Sequence, residues 1–355
     1  MAVIDCLVHP QVVEKDELRR YMDEPWNERS FPPPDRYFYP VPDGQYLKEA
    51  ITGAALPGSD PSQVLARMDE AGIDVSILLP LTRGLLPDLD LGSAICTGTN
   101  RWLAETWLGT WNSNGRFKGS IRVNPADTVG AVREIETWAS HPHMVQVAVP
   151  MQAHHPYGQR MYHDVWQAAA RHGLPIAVAA DGGCGVDLFP TAVGYARHYV
   201  EYSTLYPLNF AFNLASLIAE GVFARIPQFR VVFTDGGADL AMPIMWRLDK
   251  DWRATKPETP WVEDLPSRYL KRHVRFVTRR LEGPASHQDQ EMVARVGDYQ
   301  DLLIYGSRYP NWDCQPVQDV RSGLPPTVAT AVLGSTAANF YHLSSDSRRP
   351  SRSRR

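Results

Sequence analysis

Asp60-Pro61-Ser62-Gln63-Val64-Leu65-Ala66-Arg67-Met68-Asp69-Glu70-Ala71-Gly72-Ile73-Asp74-Val75-Ser76-Ile77-Leu78-Leu79 reads as one helix followed by one strand. Asp60 is an N-cap with proline in the first turn and glutamine three residues on, and Gly72 is the stop. The apolar run Asp74–Leu79 is then a buried strand. The same unit recurs along the chain. Helix 93–108 leads to strand Gly119–Val123, 127–139 to Met144–Val149, and 161–172 to Pro175–Ala179. Helix 207–225 precedes Arg230–Thr234, helices 237–252 and 266–272 precede Val274–Val277, and 288–296 precedes Leu302–Gly306. Upstream, Val3-Ile4-Asp5-Cys6-Leu7-Val8-His9 is a further apolar run, so eight strands alternate with helices. Parallel neighbours need crossover connections, and eight such units suit a closed (β/α)8 TIM-like barrel. An open doubly wound sheet is the alternative, weakened by the lack of any glycine-rich phosphate loop.

The barrel is expected to be a single domain over residues 1–343, with 10–59 inserted as a lid or contact segment. Between Tyr21 and Tyr46 that insertion is dense in proline and aromatics, which resists regular structure yet is too apolar to stay solvated. A lid, a subunit contact and an ordered surface loop all fit it. Residues 344–355 (SSDSRRPSRSRR) form a basic low-complexity tail, expected to be disordered. Lys and Arg number 36 against 40 Asp and Glu, a formal net charge of −4 that leaves no basic field for nucleic acid. The four cysteines form no C-x-x-C, and no apolar run is long enough for a bilayer. The expectation is a cytoplasmic protein, without membrane or nucleic-acid partners, that acts on a small molecule.

In a barrel the chemistry gathers at the C-terminal strand ends. Those ends carry Asp5 and His9, Arg122 and Asn124, Gln146 and Gln152 to His155, Asp181, Asp235, and the run Ser307, Arg308, Tyr309, Asn311 and Asp313. Period two puts Asp5, Leu7 and His9 on one face of the first strand. Taken singly each residue has an ordinary structural role: Asp235 caps a helix, Asp5 holds a loop amide. Their joint position at one rim favours a site.

Several motifs then carry a resemblance. They are Ile4-Asp5-x-x-x-His9-Pro10, Gly158 to Trp166, Gly173-Leu174-Pro175-Ile176-Ala177 and Gly221 to Pro227. Val231-Val232-Phe233-x-x-Gly236-Gly237, Met245 to Asp249 and Ser307-x-Tyr309-Pro310-x-Trp312-Asp313 complete them. The chain resembles the amidohydrolase superfamily, specifically the amidohydrolase-2 branch related to aminocarboxymuconate semialdehyde decarboxylase. The resemblance implies a barrel acting on small aromatic or unsaturated carboxylic acids, commonly as a dimer. It also implies metal ligands on strands 1, 5, 6 and 8, but here those positions hold Leu7 and His9, Ala179, Asp235 and Arg308, with Asn311 at a further family histidine. Zinc needs three or four converging donors, so no bound zinc and no cofactor are expected.

Two functions follow. One is a metal-independent enzyme performing decarboxylation, hydrolysis or related lyase or cyclase chemistry. In it His9, Asp235 and Asp5 are the catalytic candidates, and Arg308, Asn311, Tyr309, Arg122 and His155 bind the substrate carboxylate and its surroundings. Arg308 would supply the electrophilic role of the missing metal. The other is a pseudoenzyme, a binding or scaffold subunit beside an active paralogue, with Arg308 paired to Asp5. An inward-reaching, unpaired Arg308 marks the first; a fully paired one marks the second.

Overall fold

A computed structural model describes residues 2–14, 16–29, 46–51, 56–82, 86, 88–180, 196–278, 284 and 286–343. Most of the proline-rich stretch, residues 181–195 and the basic tail therefore lie outside the described residues, and with them Asp181 and Cys184.

Eight strands run in sequence order, each parallel to the next: β1 (Ile4–Val8), β2 (Val75–Leu78), β3 (Phe117–Arg122), β4 (Met144–Pro150), β5 (Ile176–Ala179), β6 (Val231–Phe233), β7 (Val274–Val277) and β8 (Leu303–Ile304). The last edge meets the first. The Cys6 amide donates to the Tyr305 carbonyl and the Arg308 amide to the Leu7 carbonyl, both at 2.8 Å, and Val8 bridges Tyr309. The sheet is thus a (β/α)8 barrel, as the alternating pattern requires.

Local chemistry explains the units. Asp60 caps the helix Pro61–Ala71 through the Ser62 amide at 2.8 Å, and Gly72 ends it in the left-handed region at φ 72°. The expected helix 207–225 is instead broken into Asn209–Ala219 and Val222–Arg225 by Gly221 at φ 71°. The helix Leu89–Trp102 runs on into a wider π-helical stretch, Leu103–Thr110.

Two apolar layers result. Ile4, Cys6, Val75, Ile77, Ala148, Ala177, Ala179, Val232 and Ile304 alternate along their strands and pack together in the barrel interior. Their neighbours Ile121, Val147, Val178, Val231 and Phe233 face outward, into the layer shared with the helices. Phe340 and Tyr341 plug the N-terminal end of the barrel. There the Tyr341 hydroxyl donates to Gln146 Oε1 (2.9 Å), Gln146 Nε2 to Ser120 Oγ (2.7 Å), and Ser120 Oγ to the Leu78 carbonyl (2.8 Å). The Tyr341, Gln146 and Ser120 side chains of this relay are thereby paired, as a dry interior demands. No helix among the described residues is long and apolar enough to cross a membrane.

Candidate active site

Strand alternation is broken in β1, and this rearranges the site. The β1–β2 register shifts between Asp5 and Val8, a bulge that sends residues after it to the opposite face. Leu7 therefore joins Ile4 and Cys6 in the interior, while Val8 joins the outer layer. Asp5 does not share a face with His9, contrary to the simple alternation. Its Oδ1 accepts from the Leu7 amide at 3.2 Å and the Ser307 amide at 2.7 Å, and its cationic neighbour is Arg67 on the helix Pro61–Ala71. Asp5 holds the Leu7 and Ser307 amides at the β1–β8 seam and faces Arg67 rather than Arg308.

Burial raises the Asp5 carboxyl above its ordinary range, against the opposing pull of Arg67 and the Ser307 and Leu7 hydrogen bonds. The folded chain then holds this proton at pH values where the unfolded chain has released it. Stability from this group accordingly falls as pH rises from the ordinary carboxyl range through the raised folded value. Asp5→Asn should flatten that slope in denaturant titrations from pH 4 to pH 8; an unchanged slope would remove Asp5 as its source.

His9 is buried, and its Nδ1 lies 2.8 Å from the Leu79 carbonyl. A carbonyl only accepts, so Nδ1 carries the hydrogen and Nε2 of the neutral ring carries the lone pair. By alternation after the bulge, His9 follows Leu7 to the inner face.

Arg308 leaves β8 at φ 62°, a left-handed backbone that side chains seldom adopt. Its guanidinium crosses the mouth past β7. Nη1 donates to both oxygens of Asp313 (3.0 and 2.8 Å), and Nη2 lies 3.4 Å from Asp235 Oδ1 at the end of β6. All three side chains are at most 5% exposed. Asp235 Oδ2 accepts from the Ala180 amide (2.6 Å) and from Thr234 Oγ1 (2.8 Å). One cation thus faces two carboxylates, and a third anion gains little there. The expected Arg308–Asp5 pair is replaced by Arg308–Asp313–Asp235. By the criterion drawn from the sequence, this engaged Arg308 speaks for a structural cation rather than a substrate clamp.

Arg122, at the end of β3, alternates with Ser120 and so belongs to the inner face. It is buried, and Nη2 donates to Thr82 Oγ1 at 2.6 Å. Its backbone is clamped on both sides: the Arg122 amide donates to Asn100 Oδ1 (2.7 Å) and Asn100 Nδ2 to the Arg122 carbonyl (2.8 Å). Glu134 Oε1 in turn accepts from Asn100 at 3.0 Å and from Trp138 Nε1 at 2.8 Å. Sequence reading missed Asn100 and Glu134, whose only local signal was polarity on the buried face of a helix.

The remaining candidates separate. The Tyr309 ring lies under the Arg67 guanidinium at 4.4 Å, so it packs toward the helix Pro61–Ala71. His155 is exposed, and its carbonyl accepts from the Tyr162 hydroxyl. Asn311 is fully buried beside the Tyr46 bridge, and among the described residues neither atom of its amide has a hydrogen-bond partner, nor does Gln11 Nε2. Each such group costs roughly 1–3 kcal/mol of folding free energy.

The donor set does not fit a zinc or manganese ion. Leu7 and Ala179 are interior apolar packing, and the carboxylates of Asp235 and Asp313 already hold a guanidinium between them. Among the described residues no three of His, Cys, Asp or Glu converge as ligands would.

An eight-stranded parallel barrel whose buried polar groups collect at the C-terminal strand ends defines the architecture. The chain belongs to the amidohydrolase family: the model of the family Amidohydrolase (Amidohydro_2) matches residues 4–343. Among solved structures, an amidohydrolase of Mycobacterium avium subsp. paratuberculosis K-10 is 20% identical, with a TM-score of 0.73 over 97% of this chain and 98% of the other. 5-Carboxyvanillate decarboxylase of Sphingomonas paucimobilis is 22% identical, with a TM-score of 0.65 over 97% and 99%. The 5-carboxyvanillate decarboxylase of Novosphingobium aromaticivorans DSM 12444, complexed with manganese and 4-hydroxy-3-methoxy-5-nitrobenzoic acid, is 16% identical, with a TM-score of 0.66 over 96% of each chain. At these identities the likeness speaks for the fold. No curated protein matches the chain.

Proposed function

We propose that the chain is a decarboxylase-type enzyme that takes a small aromatic or unsaturated carboxylic acid at the barrel mouth and works without a bound metal. The observation that carries this reading is the buried guanidinium of Arg122 on the inner face at the end of β3, in a barrel whose solved relatives include a 5-carboxyvanillate decarboxylase. With Arg308 engaged by Asp235 and Asp313, the substrate carboxylate falls to Arg122, whose fork suits bidentate pairing and whose backbone Asn100 holds in place. A partner that holds the fork at rest is exchanged for the incoming acid.

His9 carries the proton. Solvent protonates Nε2, the imidazolium delivers that proton to the carbon bearing the carboxylate, and the electron pair of the breaking C–C bond returns to the substrate as carbon dioxide leaves. Nε2 is then protonated again from solvent. Asp235, fixed by Ala180, Thr234 and Arg308, orients the rim rather than moving protons. A second reading, a binding or scaffold subunit, is favoured by the same engagement of Arg308.

The test is turnover and metal content together. Protein purified from manganese- and zinc-supplemented growth should contain far less than one metal per chain and release carbon dioxide from a member of an aromatic-acid panel. Arg122→Met should then raise KM roughly 10- to 100-fold, the loss of a charged hydrogen bond of about 1.5–3 kcal/mol. About one tightly bound metal per chain would overturn metal independence. Binding without turnover across the panel would leave the scaffold reading.

A further inference from the structure

The helix Pro61–Ala71 reaches the loop after β8 through one side chain. The Arg67 guanidinium lies 4.4 Å from the centroid of the Tyr309 ring, and its Nη2 donates to Cys314 Sγ at 3.2 Å. These two contacts grip residues 309–314 at both ends. Within the loop the Asn311 amide donates to the Arg308 carbonyl (2.9 Å), the Cys314 amide to the Asn311 carbonyl (3.0 Å) and the Gln315 amide to the Ser307 carbonyl (2.9 Å), so it behaves as one piece. That piece bears on the histidine. The His9 amide donates to the Tyr309 carbonyl at 2.8 Å, and Val8 bridges Tyr309. The seam has no slack, since a Cβ at Gly58 would lie 3.0 Å from Pro310 Cγ and 3.3 Å from the His9 carbonyl oxygen.

An ion pair does not account for Arg67. The carboxylate it faces, Asp5, accepts from the Leu7 and Ser307 amides, while Asp5 Oδ2 and Arg67 Nη1 each have no hydrogen-bond partner among the described residues. The face and edge of the guanidinium are engaged by the loop instead. Burial pushes the Cys314 thiol up to about 11, so its sulfur is neutral at pH 7 and both loop contacts are with uncharged groups. Arginine alone offers a flat face for a ring together with an in-plane N–H for a second group; lysine carries the charge without either.

We propose that Arg67 is a positioning residue for His9: by clamping Tyr309 and Cys314 it holds the β8 loop where the Tyr309 carbonyl fixes the His9 backbone. The ring is then held from two sides, by Tyr309 at the main chain and by the Leu79 carbonyl at Nδ1. Loss of the first tie leaves the ring free to pivot about the second, and Nε2 moves off its line to the substrate carbon. This rests on the assignment of proton transfer to His9 and adds what aims the imidazole. A small misplacement of this kind acts on the rate of proton transfer, while the carboxylate site at Arg122, on β3, is left as it was.

The experiment is native-state amide exchange and turnover of the whole chain for the wild type, Arg67→Ala and Arg67→Lys. In Arg67→Ala the His9 and Cys314 amides should exchange about tenfold faster, while the Val147 and Thr234 amides, bonded between β4, β5 and β6, stay within about threefold of wild type. On the panel acid kcat should fall about 10- to 100-fold with KM nearly unchanged, and added guanidinium ion should restore part of the rate. Arg67→Lys keeps the charge before Asp5 without the plane or the fork. It should show both effects in the same direction, and it decides the matter where Arg67→Ala does not fold. Wild-type exchange and rate in Arg67→Lys would assign the residue to its charge and overturn the clamp. Equal acceleration of all four amides, or an unchanged His9 amide, would overturn it too, the former being ordinary loss of stability. If the wild type turns over no acid, the exchange pattern alone decides the clamp, and only the decarboxylase reading falls.

Discussion

Arg308→Met should destabilise the folded chain by about 3–5 kcal/mol, the range found when one partner of a buried ion pair is removed. The guanidinium and the carboxylates of Asp235 and Asp313 are all at most 5% exposed, so solvent cannot take over the cation's role. Asp235 retains the Ala180 and Thr234 donors. Asp313, held by both of its oxygens on Nη1, loses its bidentate partner and is the more exposed to the loss. Two companion variants separate charge from backbone. Arg308→Met with Asp313→Asn removes the stranded charge and should recover more than half of the deficit. Arg308→Gly relieves the left-handed backbone at φ 62°, worth about 1 kcal/mol, and should be milder than Arg308→Met by that amount. Urea unfolding at pH 7 measures all three. An Arg308→Met variant within 1 kcal/mol of wild type would mean that the rim does not depend on this cation.

How much of this was legible in the sequence depends on the range of the interactions. The barrel was legible because its units are local: the cap at Asp60, the stop at Gly72 and the apolar run to Leu79 lie within one stretch of twenty residues, and the pattern repeats. The rim positions followed from strand ends. The orientation of Asp5 did not, since a bulge shifts the register by a fraction of a strand that no periodicity shows, and one shifted residue reverses a face. The partners of Arg308 were equally hidden. Asp235 is 73 residues away in the numbering, on a strand that is not its neighbour, and only the barrel's curvature brings it within 3.4 Å. Asn100 and Glu134 support Arg122 from two different helices, and the His9 amide reaches the Tyr309 carbonyl only because β8 closes on β1. Each of these is a consequence of closure, not of any local pattern.

His9→Asn should lower kcat on the panel acid by on the order of 10²–10⁴, the usual size of a positioned acid or base contribution, with KM changed little. The choice of asparagine matters. Its Nδ2 falls where the histidine Nδ1 stands and can keep the 2.8 Å bond to the Leu79 carbonyl, so the β1–β2 junction is preserved. What is lost is Nε2 alone. If the imidazolium is the proton donor, proton transfer from Nε2 should give the wild type a solvent deuterium isotope effect on kcat. That effect should be absent from the residual activity of His9→Asn. A scaffold subunit would show no turnover, while a His9→Asn variant with the wild-type rate and isotope effect would take the proton transfer away from His9 and leave the imidazole as a tie between β1 and β2.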